Sequence, residues 1–249
     1  MKNSIYLMIS MAICSLSYGQ YAGQTATNMS AGDGGLGGGE IATLLGPISE
    51  NKNKNKDLYL DFQGSPYTSN EFAMTSMYYG DENLGKIYYR YNALNEEVEI
   101  KKSLRESEGI KSLSRDKKVS ILIDGNKMSF MTFVTSKDKT LNGYLSTLSE
   151  NGPYKLYKRT LVKFTQGKPA PNSFVKAVPS RFAQFIEYYF QKEGVNRIDE
   201  IPLKNGKLLK LIDASKREGL KEFLKENSMN IKEEADLIQA FNFLNNPNI

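Results

Sequence analysis

The sequence predicts an α+β protein: a mainly antiparallel β-sheet body closed by a C-terminal helical hairpin. Three observations carry that prediction. From Leu58 to Phe164 apolar and polar residues alternate in short runs, the period-two signature of half-buried strands. Turn formers separate the runs, above all Asp124-Gly125-Asn126, where Asp-Gly suits a hairpin that needs positive φ. From Ser215 onward the apolar residues recur at helical spacing instead.

The 249 residues divide into a leader at 1–19, a flexible Gly/Asn/Lys-rich segment at 20–56, a β-rich domain at 57–204 and the helical hairpin at 205–249. Hydrophobic residues make up 40% and charged residues 24%, enough apolar side chain to bury a sizeable core. The formal charge of +5 is carried mostly by lysine. It permits contact with anionic lipid, glycan or nucleic acid and selects none of them.

Lys2, the short apolar run Ile5 to Leu16, and small residues on both sides of Tyr18 form the pattern of a cleaved secretory signal peptide, with Gln20 as the mature N-terminus. The run is too short to span a bilayer as a helix. Cys14 keeps lipidation open as a second reading, although Ile13 stands where a lipidated cysteine takes a small residue. The expectation is an exported chain, periplasmic or outer-membrane-associated or extracellular, with no transmembrane segment once mature.

The elements follow in order. Gly32 to Gly39 is a glycine run that matches G-x-G-x-x-G at Gly32, Gly34 and Gly37, but no strand precedes it, so no dinucleotide site is expected. Asn51 to Lys56 reads as a solvated linker. Leu58, Leu60 and Phe62 share one side of a first strand, and Gly64-Ser65-Pro66 turns. The stretch Gly64 to Ile100 is expected to anchor the sheet, with strands at Phe72–Tyr79, Lys86–Ala93 and around Val98–Ile100. Gly80 to Gly85 and Leu94-Asn95 are the turns between them. Lys102 to Asp116 is a charged loop with a short strand near Ile110. Two hairpins follow, Val119–Ile123 with Met128–Val134, then Leu141–Leu148 with Tyr154–Phe164. Gly167 to Pro179 carries three prolines and is a connection. The stretch Arg181 to Gln191 fits both periods, and a strand from about Ile186, partnered by Arg197–Leu203, is favoured. Asn205-Gly206 turns, and Leu208–Ile212 is one short helical turn. Ser215 with Glu218, and Asn230 with Glu233, have capping-box spacing. Behind them lie the stripes Leu220, Phe223, Leu224 and Leu237, Ile238, Phe241, Leu244.

Chemistry is bounded by what the chain lacks. It contains no histidine and no tryptophan, and its one cysteine, Cys14, lies in the leader. That leaves no imidazole base, no thiolate nucleophile and no His or Cys metal ligand. No catalytic residue, metal ligand or cofactor is assigned. The carboxylates Glu96, Glu97 and Glu99, and Glu233 with Glu234, have sufficient reasons as a wet strand face and an acidic helix start. Ser-x-x-Lys at Ser49/Lys52, Ser114/Lys117, Ser136/Lys139 and Ser173/Lys176 falls in polar connections, without the helix start a serine–lysine mechanism uses. Two sets remain as candidate ligand contacts. Lys155, Arg159 and Lys163 alternate on one side of a strand as a basic outer row, suited to an anionic glycan or lipid headgroup. Among the tyrosines, alternation sends Tyr89 and Tyr91 to the core and leaves Tyr78 and Tyr88 as stacking candidates. No nucleic-acid motif is present.

At Gly64-Ser65-Pro66-Tyr67, Phe72, Arg90-Tyr91-Asn92, Glu97 and Glu99 the chain resembles a group of exported Bacteroidota proteins of uncharacterised function. These resemble one another in a "GSPY…F" opening, a strand ending "RYN", an acidic "E-x-E" strand, a later "KYxVKF"-like strand and a terminal helical pair. Here Tyr157 to Phe164 matches the later strand with an extra residue, and the likeness covers about residues 58 to 245. The resemblance implies an envelope location and brings no activity. The functional expectation is a non-enzymatic binding or structural module of the cell envelope, partnered by an envelope protein or an anionic glycan. A binder of anionic glycan or lipopolysaccharide, or a carboxylate-dependent glycan-active enzyme, are the alternatives.

Overall fold

A computed structural model describes residues 62–172 and 174–246. The leader with Cys14, the 20–56 segment, Ser49/Lys52 and most of the expected first strand (residues 58–61) lie outside the described residues, as does Ser173.

Ten strands form one mostly antiparallel sheet, followed by three helices that pack on it. The strands are β1 (Ala73–Tyr79), β2 (Glu82–Asn92), β3 (Glu97–Lys101), β4 (Lys111–Ser112), β5 (Val119–Ile123), β6 (Asn126–Val134), β7 (Thr140–Ser149), β8 (Tyr154–Thr165), β9 (Arg181–Lys192) and β10 (Ile198–Glu200). Their spatial order is β10-β9-β8-β7-β6-β5-β1-β2-β3-β4. The chain builds β1 to β4 outward, crosses back through residues 113–118, and lays β5 on the free edge of β1. β10 also pairs with β6 in parallel at Asp199 and Val134, so β6 to β10 close into a ring.

Most elements fall where alternation places them, and the differences have local causes. The β1–β2 turn narrows to Gly80-Asp81, because a register shift after Met77 lets Glu82 and Asn83 pair with Tyr79 and Tyr78. Asp124 and Gly125 both have positive φ, as the two-residue hairpin requires. The ambiguous Arg181–Gln191 stretch is strand throughout, part of a β9 that runs on to Lys192 and is held by twelve consecutive register pairs with β8. There the β-forming Tyr188, Tyr189 and Phe190 prevail over the helical spacing.

The helices are α1 (Asn205–Leu211), α2 (Ala214–Glu226) and α3 (Glu234–Leu244). Asn205 and Gly206 belong to α1 rather than to a turn. Neither capping box forms: Asp213 and Glu233 occupy the N-cap positions, and neither caps through its side chain. Asp213 is drawn into the sheet instead. Its carboxylate accepts from the Tyr154 hydroxyl at 2.7 Å and pairs with Lys192. At α3, Asp236 accepts the Asn230 amide N–H at 2.7 Å.

Three cores result. The face of β8 and β9 that carries Tyr154, Leu156, Tyr188 and Phe190 packs against Leu220, Leu224, Leu237, Phe241 and Leu244 of the helices. Further along the same face, Val162 and Phe182 meet Met77, Ile87, Tyr91, Val98 and Tyr144 under the curled β1–β3 strands. On the opposite face Phe133, Leu145, Tyr157, Tyr189 and Ile198 fill the ring.

Candidate functional site

The ring decides the fate of the basic row. Lys155, Arg159 and Lys163 do share one face of β8, but that face lines the ring along the middle of the strand. Lys155 and Lys163, near its ends, are exposed, whereas Arg159 is only 7% exposed. Arg159 is therefore not on an outer face. Its guanidinium donates to Glu96 through Nε (3.2 Å) and Nη2, and to Glu187 through Nη1 at 2.8 Å, and lies 4.9 Å from the Phe133 ring centroid. Burial pulls its pKa down, but the hydrogen bond and charge of Glu96 outweigh it and hold the cation above its ordinary range.

The β2–β3 turn delivers Glu96. It enters where β7 and β8 diverge, and the Val162 N–H donates to the Ala93 carbonyl at 2.8 Å. Glu96 holds φ at 52°, a left-handed conformation unusual for a residue with a side chain. Gly143 makes room for it, since a Cβ there would collide with the Glu96 carboxylate. Beside this cluster the Tyr91 hydroxyl is buried and has no hydrogen-bond partner among the described residues, and burial raises its pKa. Glu96 and Glu187 are thus a convergent carboxyl pair held by one cation, an arrangement that locks the β2–β3 turn onto the ring.

The Gly64-Ser65-Pro66-Tyr67, Arg90-Tyr91-Asn92 and Glu99 residues also meet in space. Arg90 lies 3.9 Å above the Tyr67 ring and 4.6 Å from that of Phe72, and binds Glu99 at 2.6 Å. Tyr67 bridges to Asn92, and the Pro66 carbonyl accepts the Ala93 N–H at 2.9 Å. The Gly-Ser-Pro-Tyr segment, the Arg-Tyr-Asn strand end and Glu99 therefore form one clasp around the β2–β3 hairpin. Glu99 is not a free acid on a wet face.

Tyr91 is core as expected, and Tyr89 packs against the same cluster while half-buried. Tyr78 and Tyr88 are both partly exposed. Tyr88 sits between Met74 and Lys101, and Tyr78 pairs with Asn83 and Ser120 with Lys127 at 6.0 Å from its ring. The two tyrosines are not brought together with Lys155 or Lys163 by any shared strand neighbour. Lys155 instead borders a surface hollow of about 340 Å³ with Gln191, Lys192 and Gly194.

The structure reveals a surface that alternation alone does not pick out. Among the described residues, six of the eleven exposed large apolar side chains fall between 164 and 186: Phe164, Phe174, Val175, Val178, Phe185 and Ile186. They crowd the far end of the β8–β9 hairpin. Lys163, Lys168, Lys176 and Arg181 are exposed on the same segment, and none has an acidic partner among the described residues. The sequence signal is an absence, since no Asp or Glu stands between Glu150 and Glu187 while seven Lys and Arg do. Among the described residues no group of three or more acidic side chains is placed to hold a metal, and no helix is long and apolar enough to cross a membrane. The chain matches no family model, no curated protein and no solved structure.

Proposed function

We propose that the chain is an exported, non-enzymatic binding module of the bacterial cell envelope that takes an anionic ligand at the far end of the β8–β9 hairpin. The supporting observation is the unbalanced charge there: Lys163, Lys168, Lys176 and Arg181 stand exposed around apolar side chains with no counter-charge. Unpaired cations clustered on one surface attract polyanions at long range and lose that attraction as salt rises. Lys155 extends the basic surface along β8, and Arg159 does not, because Glu96 and Glu187 neutralise it.

Retention on an immobilised anionic polysaccharide tests this reading. The native protein is expected to bind at low salt and elute as salt rises, and Lys163→Glu with Lys168→Glu and Lys176→Glu to pass unretained. Equal retention of both proteins refutes it. A glycan-active enzyme would instead turn over polysaccharide in a way that Glu187→Gln abolishes.

A further inference from the structure

We infer that the anionic ligand is a lipid bilayer, and that the β8–β9 tip inserts its apolar side chains between anionic headgroups. This rests on the binding reading above and deepens it. A soluble glycan would engage the lysines but leaves Phe174, Val175 and Val178 without a purpose. Phe174 is 96% exposed and Val178 58%, the exposure of side chains held out into solvent rather than folded back onto the body.

The shape of the element suits a flat partner. Beyond Lys158, β8 no longer pairs with β7. Its last residues pair with β9, through Lys163 with Ala183, Phe164 with Phe182 and Thr165 with Arg181, and residues 62–63 lie beside them, with Gln63 bridged to Arg181 and the Phe62 ring 5.5 Å from that of Phe164. The connection is clipped at its base, where Lys168 and Val178 exchange N–H to carbonyl hydrogen bonds of 2.8 and 2.9 Å. Gly167 fits this base because a Cβ there would meet the Val178 and Pro179 backbone. The connection 166–180 beyond these contacts is the tip.

The backbone chemistry fits a membrane interface as well. An unpaired backbone N–H is costly in hydrocarbon. Pro169, Pro171 and Pro179 carry none. Asn172 Oδ1 accepts the Phe174 N–H at 3.0 Å, and the Asn172 carbonyl accepts that of Val175. The N–H groups of the two residues that would enter first are thus already satisfied. Lys168, Lys176 and Arg181 flank them, and their long stems let the charges stay at headgroup level while the tip is immersed. The apolar area is small, so it anchors the protein only together with the cations, and neutral bilayers should be poor partners.

The absence of tryptophan makes the test direct. Phe174→Trp places a single fluorescent reporter at the tip, and Met74→Trp places one on an exposed strand face remote in sequence from it. Vesicles of phosphatidylglycerol mixed with phosphatidylcholine are expected to shift the Phe174→Trp emission to the blue and leave Met74→Trp unchanged. Pure phosphatidylcholine should do neither. Phe174→Ser with Val175→Ser should weaken sedimentation with anionic vesicles by roughly tenfold or more, while retention on the anionic polysaccharide persists. Vesicle binding unchanged in that double variant, or a blue shift at position 74 instead of 174, overturns insertion. Polysaccharide retention without vesicle binding also overturns it and leaves the broader binding reading standing. Loss of both in the native protein defeats the two together.

Discussion

Arg159 shows how one residue can look like a binding group and act as a rivet. A buried guanidinium is tolerated only if its charge is matched, and here two carboxylates from distant parts of the chain match it. Arg159→Ala leaves Glu96 and Glu187 partly buried and unpaired. It is expected to lower stability by about 3–5 kcal/mol in urea unfolding. Arg159→Met, which keeps the stem but not the charge, should be nearly as harmful, because the carboxylates remain. Gly143→Ala should reproduce much of the effect without touching a charge, since its methyl displaces Glu96. If both variants unfold with the native midpoint, the cluster is ornamental. The tyrosines give a second test at this scale. Burial raises the pKa of Tyr91, Tyr144, Tyr188 and Tyr189, and pushes Tyr154 and Tyr157 up to about 12. Unfolded tyrosine ionises near pH ~10. The folded state thus keeps these hydroxyls neutral, and their contribution is fully present below that pH. It is lost as pH rises through the folded values, so stability should fall between about pH 10 and 12. Tyrosinate absorbance appearing together with loss of circular dichroism is the expected result. A full tyrosinate signal from a still-folded protein at pH ~10 would contradict it.

At the level of elements, the helices are fastened by the same device twice. Asp213 at the start of α2 accepts the Tyr154 hydroxyl and pairs with Lys192, and Glu234 at the start of α3 accepts the Tyr188 hydroxyl at 2.8 Å and pairs with Lys158 at 2.7 Å. Each joins a helix N-terminus, where a carboxylate suits the dipole, to a tyrosine of β8 or β9. Past the end of α3, Asn245 accepts the Tyr154 N–H at 2.9 Å and donates to its carbonyl at 2.8 Å, acting as a one-residue strand partner. Gly152 is required beneath it, because φ there is 127° and a Cβ would lie 2.6 Å from that of Asn245. Asn245→Ala should cost about 1–3 kcal/mol by orphaning two backbone groups of a buried residue. Tyr154→Phe should cost less, about 1 kcal/mol, because Asp213 is well exposed to solvent. The reverse order in urea unfolding would argue against Asn245 as the clasp. These contacts also mark where sequence reading stops. Alternation at Tyr154–Phe164 and the apolar stripe at Leu237–Leu244 are local signals, so strand and helix were legible. The capping boxes failed because Asp213 and Glu233 take the N-cap positions, and Asp213 is held there by Tyr154 and Lys192, residues far from the box in the chain. The basic row divides for the same reason: period two places Lys155, Arg159 and Lys163 on one face but is silent on what closes over Arg159 alone. The exposed cations of the hairpin tip were legible only as missing acids, a charge signal that periodicity ignores.

For the whole molecule, the deciding contact is the smallest. A single parallel bridge between Asp199 and Val134 turns a ten-strand sheet into a ring with strands laid against it. No local pattern announces it. Its consequence is that β8 and β9 contribute to all three cores: Tyr154, Leu156, Tyr188 and Phe190 under the helices, Val162 and Phe182 under the curled strands, Tyr157 and Tyr189 within the ring. The Gly64–Ile100 stretch, which the sequence suggests as the anchor, serves only one of them. A strand that is covered on both faces and paired on both edges opens only with the whole fold, whereas its projecting end can open alone. Amide hydrogen exchange is therefore expected to be slowest from Tyr154 to Lys158 and from Tyr188 to Phe190, approaching the free energy of global unfolding. It should be fast in the 102–110 and 114–117 loops and in the 166–180 tip. Ile198→Asp, which puts a charge into the ring without removing a hydrogen bond, should bring the slow segments down to the rate of β1 and β2. If β1 and β2 were instead the most protected segments in the native protein, the anchor would be the N-terminal hairpin, and the β8–β9 hairpin would be a late addition to a sheet already stable without it.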